Sequence, residues 1–224
     1  MKKFELTSEF VTFLGKKLFR IKALVSFGDV KEGELGGLVE KEENLDQSGD
    51  AWVYGNARVY GDARVYGDAR VYGNAWVSGN AWVSGDARVS GDARVYGNAW
   101  VSGNAWVSGD ARVSGDARVY GNAWVSGNAW VSGDARVYGD AWVSGDARVQ
   151  NCRDYSATSC FGSGNRTTTF FRTKDGGISV RCGCFYGTLN EFREKVKERH
   201  GDSRLAKEYL MLADLMEFRL SKDE

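Results

Sequence analysis

The sequence predicts an all-β protein, a parallel β-solenoid held between two small terminal modules. Three observations carry this. From Gly49 to Gln150 the chain is seventeen uninterrupted hexads of the form G-[D/N]-A-[R/W]-V-[Y/S/Q]. Within each hexad Ala and Val stand two apart, as Ala51 and Val53 do, so on an extended strand both point to one face and the intervening Arg or Trp to the other. At every sixth residue Gly, followed by Asp or Asn, supplies side chains that tolerate positive φ, so a tight bend recurs between strands. Strand and corner in strict alternation, with nothing inserted, build a solenoid.

A helix does not fit these repeats, because a period of six keeps no face on a 3.6-residue turn and the hexads combine Gly with β-branched Val. Disorder does not fit either: Val, Trp and Tyr at fixed spacing can bury apolar area that a polar low-complexity repeat lacks.

Around the array the chain divides into three parts. Residues 1–42 read as an N-terminal β cap, in which FVTFLGKKLFRIKALVSF (10–27) gives two strand-like runs about a turn at Gly15 to Lys17. Residues 43–150 are the solenoid, with ENLDQS (43–48) as a degenerate first hexad. Residues 151–224 read as a small α+β module. There RTTTFFRTKDGGISVRCGCFYG (166–187) is a hairpin turning at Lys174 to Gly177, and Thr188 with Glu191 forms a capping box for a helix over 189–200. A second helix over 203–220 is expected to bury Leu205, Tyr209, Leu212 and Met216. Caps are needed, because a solenoid exposes unpaired strand edges and apolar core at both ends.

Composition narrows the function classes. The 224 residues carry 30 basic and 30 acidic side chains, so no overall field draws the protein to phosphate or to a membrane surface. The opening MKKFELTSEF has no apolar run after its lysines and no stretch approaches a membrane span, so a cytoplasmic protein is expected. The array holds ten Asp and nine Arg, which argues against nucleic-acid binding dominated by phosphate contacts. In fourteen of the seventeen hexads Asp goes with Arg and Asn with Trp, and pairs such as Asp62 and Arg64 are expected to neutralise each other within a coil.

The hexads resemble those of left-handed parallel β-helix proteins, the hexapeptide-repeat family, in which three hexads make one triangular coil of eighteen residues. The resemblance implies a left-handed triangular solenoid of about six coils, roughly 29 Å long at ~4.8 Å per coil. With the opening RIKALVSFGDVKEGELGG and the closing GCFYGTLNEFREKV, the whole chain resembles small hexapeptide-repeat proteins encoded by phages and prophages. That likeness implies an infection-linked protein without a defined activity.

An eighteen-residue coil turns the sequence into ladders. Trp106, Trp124 and Trp142 fall on one face, Trp82 and Trp100 on a second, and Arg94 and Arg112 on the third; these seven are the candidate binding residues, since Trp, Tyr and Arg dominate binding hot spots. Ring stacking and cation–π contact would equally stabilise the sheets without any ligand. The segment GNAWVSGNAWVSGDARVSGDARVY (73–96) recurs letter for letter at 97–120. Its 24-residue period is out of step with the coil, so duplicated sequence spreads over different faces and no single ligand face is expected.

Catalysis is not expected. The best-known members of the resembled family are acyltransferases that use acyl-CoA and a catalytic His on looped-out coils, whereas this array has no His, Lys or Glu and no loop. The one histidine, His200, stands where it complements a helix C-terminus. Cys152, Cys160, Cys182 and Cys184 could form a four-thiolate zinc site, but their spacing is not the usual C-x-x-C pair, and small buried thiols are the simpler expectation. No cofactor is expected. The sequence therefore points to a scaffold or interaction protein whose partner is a host or phage protein, with a dimer or trimer also open. The other readings are an acyl-CoA-dependent acyltransferase and a nucleotide or nucleic-acid binder using the Trp/Arg surface.

Overall fold

The computed structural model describes residues 2–162 and 164–221. Strands β1 (Phe4–Phe13), β2 (Lys16–Ala23) and β3 (Leu35–Val39) precede seventeen two-residue strands, β4 (Trp52–Val53) to β20 (Arg148–Val149), one per hexad. Parallel pairing stacks them into three sheets in the orders β3-β5-β8-β11-β14-β17-β20, β4-β7-β10-β13-β16-β19 and β6-β9-β12-β15-β18. Each hexad Val up to Val131 pairs with the Val of the next turn, as Val95 does with Val113. Backbone N–H groups donate to carbonyls one turn on, for example Arg94 to Ala111 and Tyr96 to Val113, both at 2.9 Å.

The core is as simple as the repeat. The Ala and Val of all seventeen hexads are fully buried, with no larger residue among the hexad core positions. The corner glycines have φ between +57° and +74°. At Gly91 a Cβ would come within 3.0 Å of the backbone of Gly109, so two requirements select glycine there, the left-handed conformation and the close approach of the next coil.

The solenoid begins earlier than the hexads. Val39 of β3 pairs with Val59, and Leu45 bridges Val65, so Val39, Leu45 and Val53 make the first turn. Six turns end at Val143, and Val149 opens a seventh. ENLDQS thus supplies a rung through Leu45, and β3, within the segment read as cap, is itself part of the coil.

Because N–H groups point toward later turns, the first turn ends in bare carbonyls and the last in bare N–H groups, and the caps answer each in kind. At the first edge the Lys3 ammonium donates to the carbonyls of Ser48 (3.3 Å), Gly49 (3.2 Å) and Ala51 (2.9 Å), while Asn44 Nδ2 donates to Gly61 and Ala63. At the last edge the N–H of Trp142 donates to Thr169 Oγ1 (3.0 Å), and those of Gln150 and Asn151 to the Asp154 carboxylate (2.8 and 3.0 Å). Donors thus meet carbonyls of the first edge, and acceptors meet N–H groups of the last, which blunts both as templates for edge-to-edge polymerisation.

The N-terminal hairpin turns at Leu14 and Gly15, both with positive φ, a two-residue turn whose twist suits antiparallel strands. The hairpin reaches back to Phe4, further than the sequence suggested. Phe4 and Phe27 meet Trp52 edge-on and bury it completely.

The C-terminal module is an antiparallel meander of β21 (Tyr155–Phe161), β22 (Arg166–Arg172), β23 (Ile178–Cys182) and β24 (Phe185–Thr188), covered by α1 (Leu189–His200) and α2 (Arg204–Leu220). Alternation along β22 joins the two cores, since Phe171 belongs to the solenoid core and Phe170 to the core beneath the helices. The Thr188–Glu191 capping box forms as expected, and the Ser203 hydroxyl accepts from the Ala206 N–H to start α2. Of the residues expected inward on α2, Tyr209, Leu212 and Met216 are buried, and Leu205 is half-buried.

Candidate interaction surfaces

The predicted ladders form. Trp106 and Trp124 stack with centroids 5.0 Å apart, Trp124 and Trp142 at 4.6 Å, and Trp82 and Trp100 at 5.1 Å, all within 3° of parallel. Tyr120 stacks on Tyr138 at 5.4 Å. Arg94 and Arg112 lie side by side on the third face. Each indole N–H of the long ladder is also engaged: those of Trp106, Trp124 and Trp142 donate to the hydroxyls of Ser90, Ser108 and Ser126 at 3.1–3.4 Å.

The ends of each stack are closed by guanidinium groups. Arg88 lies 5.9 Å from the ring centre of Trp106, and Arg181, from β23, lies 3.6 Å from that of Trp142. Arg118 covers Trp100 at 5.0 Å and Arg64 covers Trp82 at 6.0 Å. Arg94 sits over Trp76 at 4.6 Å, and Arg112 and Arg148 flank Trp130. The ladders therefore use their ring faces on one another and leave mainly edges to solvent.

This arrangement replaces the Asp–Arg pairing expected within a coil. Asp62 binds Lys41 at 2.7 Å, while Arg64 lies over Trp82. The Lys41 hydrogen bond holds the Asp62 carboxyl below its ordinary range. An exposed ion pair is worth at most about 1 kcal/mol, so a guanidinium that can lie flat on an indole gains as much there. Asn side chains at the corners form short ladders instead: Asn80 donates to Asn98, and Asn98 to Asp116; Asn104 donates to Asn122, and Asn122 to Asp140.

The cysteines are not gathered. Among the described residues no group of three or more His, Cys, Asp or Glu is placed to hold a metal ion, so the four-thiolate zinc site is not formed by Cys152, Cys160, Cys182 and Cys184. Nor are they small buried thiols: Cys152, Cys160 and Cys184 are exposed, and half-buried Cys182 accepts from the Thr168 hydroxyl at 3.2 Å. Cys184 falls in the turn between β23 and β24 and does not share a strand face with Cys182.

Apart from the four cysteines, sequence reasoning gave no site to the C-terminal module, yet two features concentrate there. Met211, Leu215 and Phe218 form an exposed stripe on α2 at i, i+4, i+7, with Phe218 85% exposed. A cleft of about 350 Å³ opens between the β23–β24 turn and α1, with Arg166, Lys195, Arg199 and His200 at its margin. His200 ends α1, as expected, and its ring lies 5.8 Å from that of Tyr209. A second hollow marks the junction of solenoid and module, where Tyr155 is largely buried, its hydroxyl donating to the Arg136 carbonyl; burial raises its phenol pKa well above the ordinary tyrosine value.

The coils match a known repeat. Residues 51–85 and 87–145 fit the sequence model of the YdcK beta solenoid repeat, in nine overlapping segments from 51–67 to 129–145. This likeness to the YdcK repeat covers the solenoid and leaves both terminal modules outside. No curated protein matches the chain. No helix among the described residues is long and apolar enough to cross a membrane.

Proposed function

We propose that this β-solenoid repeat protein is a non-catalytic scaffold in which the coils are a rigid strut and the terminal modules make the contacts. The supporting observation is the placement of exposed apolar side chains. Of the thirteen large exposed hydrophobics among the described residues, nine lie outside the hexads: Phe10, Val11, Leu14 and Leu35 at one end, and Phe161, Tyr186, Met211, Leu215 and Phe218 at the other. The interior of the coils is filled by Ala and Val, and rings stacked on one another have few free faces for a base or a sugar. That weighs against both the acyltransferase reading and base stacking on the Trp ladder.

The resemblance to phage-encoded repeat proteins extends this reading to a cytoplasmic factor that binds and blocks a host protein. Affinity capture from bacterial lysate tests it with three chains: the native protein, a Met211→Ser, Leu215→Ser, Phe218→Ser variant, and a Trp100→Ser, Trp130→Ser variant. The expected result is a partner lost from the α2 variant and kept by the Trp variant. Loss from the Trp variant alone would return the contact surface to the solenoid. Light scattering of the same chains reports whether the partner is a second copy.

A further inference from the structure

We propose, independently of the scaffold reading, that the cleft between the β23–β24 turn and α1 binds a small organic phosphate carrying a planar ring, the chemical class of a nucleoside monophosphate. Its margin carries Arg166, Lys195, Arg199 and His200, and among the described residues no Asp or Glu lines it. Two of these side chains have another explanation: Arg199 and His200 occupy the last turn of α1, where basic groups complement the carbonyl end of the helix. Lys195 is shared with Glu198 in an exposed pair at 2.7 Å, which holds it only weakly.

Arg166 has no such account. It opens β22, is exposed, and among the described residues no carboxylate lies within ion-pair distance of it. Two glycine-bearing turns lie against its side chain. A Cβ on Gly164 would meet the Arg166 stem at 3.4–3.5 Å, and one on Gly183 would meet its Nη1 at 3.3 Å. A guanidinium on the rim of a cleft, without an acid to neutralise it, offers a fork that can grip a phosphate through two parallel N–H bonds.

The floor supplies the second half of the ligand. Phe192 and Tyr209 are buried in the module's own core and meet edge to face at 5.8 Å, and Phe185 tilts against Phe192 at 5.5 Å. Half-buried Phe185, backed by these rings and Val196, gives an apolar wall beside the basic side chains, and about 350 Å³ lies within the range of small-molecule sites. Inorganic phosphate would use only the rim; a phosphate bearing a flat apolar group would use rim and wall together.

Calorimetry on the full-length protein tests this with inorganic phosphate and the four common ribonucleoside monophosphates as probes. At least one nucleotide is expected to saturate the protein below about 1 mM and to bind at least about tenfold tighter than phosphate. Arg166→Ala and Arg166→Lys should each weaken it by about tenfold or more, with unchanged thermal melting, since Arg166 is exposed and outside the core. Three results would overturn the proposal: no saturable nucleotide binding, nucleotide binding unchanged in Arg166→Ala, or phosphate binding as tightly as the best nucleotide.

Discussion

The guanidinium of Arg181 lies 3.6 Å from the centre of the Trp142 ring, so a strand of the C-terminal module terminates the tryptophan ladder of the solenoid. The series Arg88, Trp106, Trp124, Trp142, Arg181 is a continuous stack with a cation at each end.

Arg181→Ala should lower stability by about 1–2 kcal/mol, the range for a partly desolvated cation–π pair, and reduce the melting temperature by about 3–6 °C. In a Trp142→Leu background the same substitution should cost much less. Urea titrations of the four chains give the coupling between the two residues, and a coupling near zero would mean that the module is held by its other contacts.

The corner glycines separate two costs that usually occur together. Gly91 and Gly139 have nearly the same conformation, φ +67° and +66°, but a Cβ on Gly91 would lie 3.0 Å from Gly109 whereas one on Gly139 would meet nothing within 4 Å. Gly139→Ala should cost about 1–2 kcal/mol, the conformational term alone. Gly91→Ala should cost at least about 1 kcal/mol more, because two coils must move apart. Denaturant unfolding of both variants reads the difference directly.

The parts of the fold that were legible in the sequence are those set by local period. Ala and Val two apart, and Gly at every sixth position, determine core and corner without reference to the rest of the chain, and Thr188 with Glu191 marks a helix start over four residues. The unread parts depend on contacts between distant segments. Lys3 looks like one of several N-terminal lysines until it is seen to reach three carbonyls more than forty residues away. Strand β21 went unassigned because its YSATSCF has no apolar alternation; it forms by pairing with β22. The Asp62–Arg64 expectation failed because sequence proximity could not show that an indole one turn on competes for the guanidinium. The cleft was missed since Arg166, Cys184 and His200 share no motif, and only the meander brings them to one margin.

Lys3 also makes stability depend on pH in a direction opposite to that of most surface lysines. Burial lowers its pKa from 10.5 against the pull of Asp46, Asp50 and Asp68. A lysine that binds its proton more weakly when folded leaves the unfolded chain with more protons between the folded value and 10.5, so stability rises with pH across that interval. Lys3→Met should abolish this alkaline rise. At neutral pH it should cost about 1–3 kcal/mol by orphaning the carbonyls of the first coil. The check is the difference in unfolding free energy between native and variant chains from pH 7 to 10.5, which should widen as pH increases.

Deletions within the array test whether the hexad or the coil is the unit of folding. Removing 97–114 takes out one whole turn and leaves Trp124 above Arg88 on the face that carried Trp106. Removing 97–120, one duplicated unit, takes out four hexads and moves Trp124 to the neighbouring face, above Trp82. Both chains keep Ala and Val inward at every rung, so both should unfold cooperatively with melting temperatures close to each other. In the second, however, the C-terminal module is turned by one face relative to the N-terminal hairpin, and distances between spin labels on the two modules should report that rotation. Removing 97–117 leaves one turn three residues short, so corners would lie over strands and the left-handed glycines would face β pairs. That chain should lose cooperative unfolding and aggregate through its mismatched edges. If it folds as well as the other two, the corner glycines do not set the register, and the coils are held by apolar burial alone.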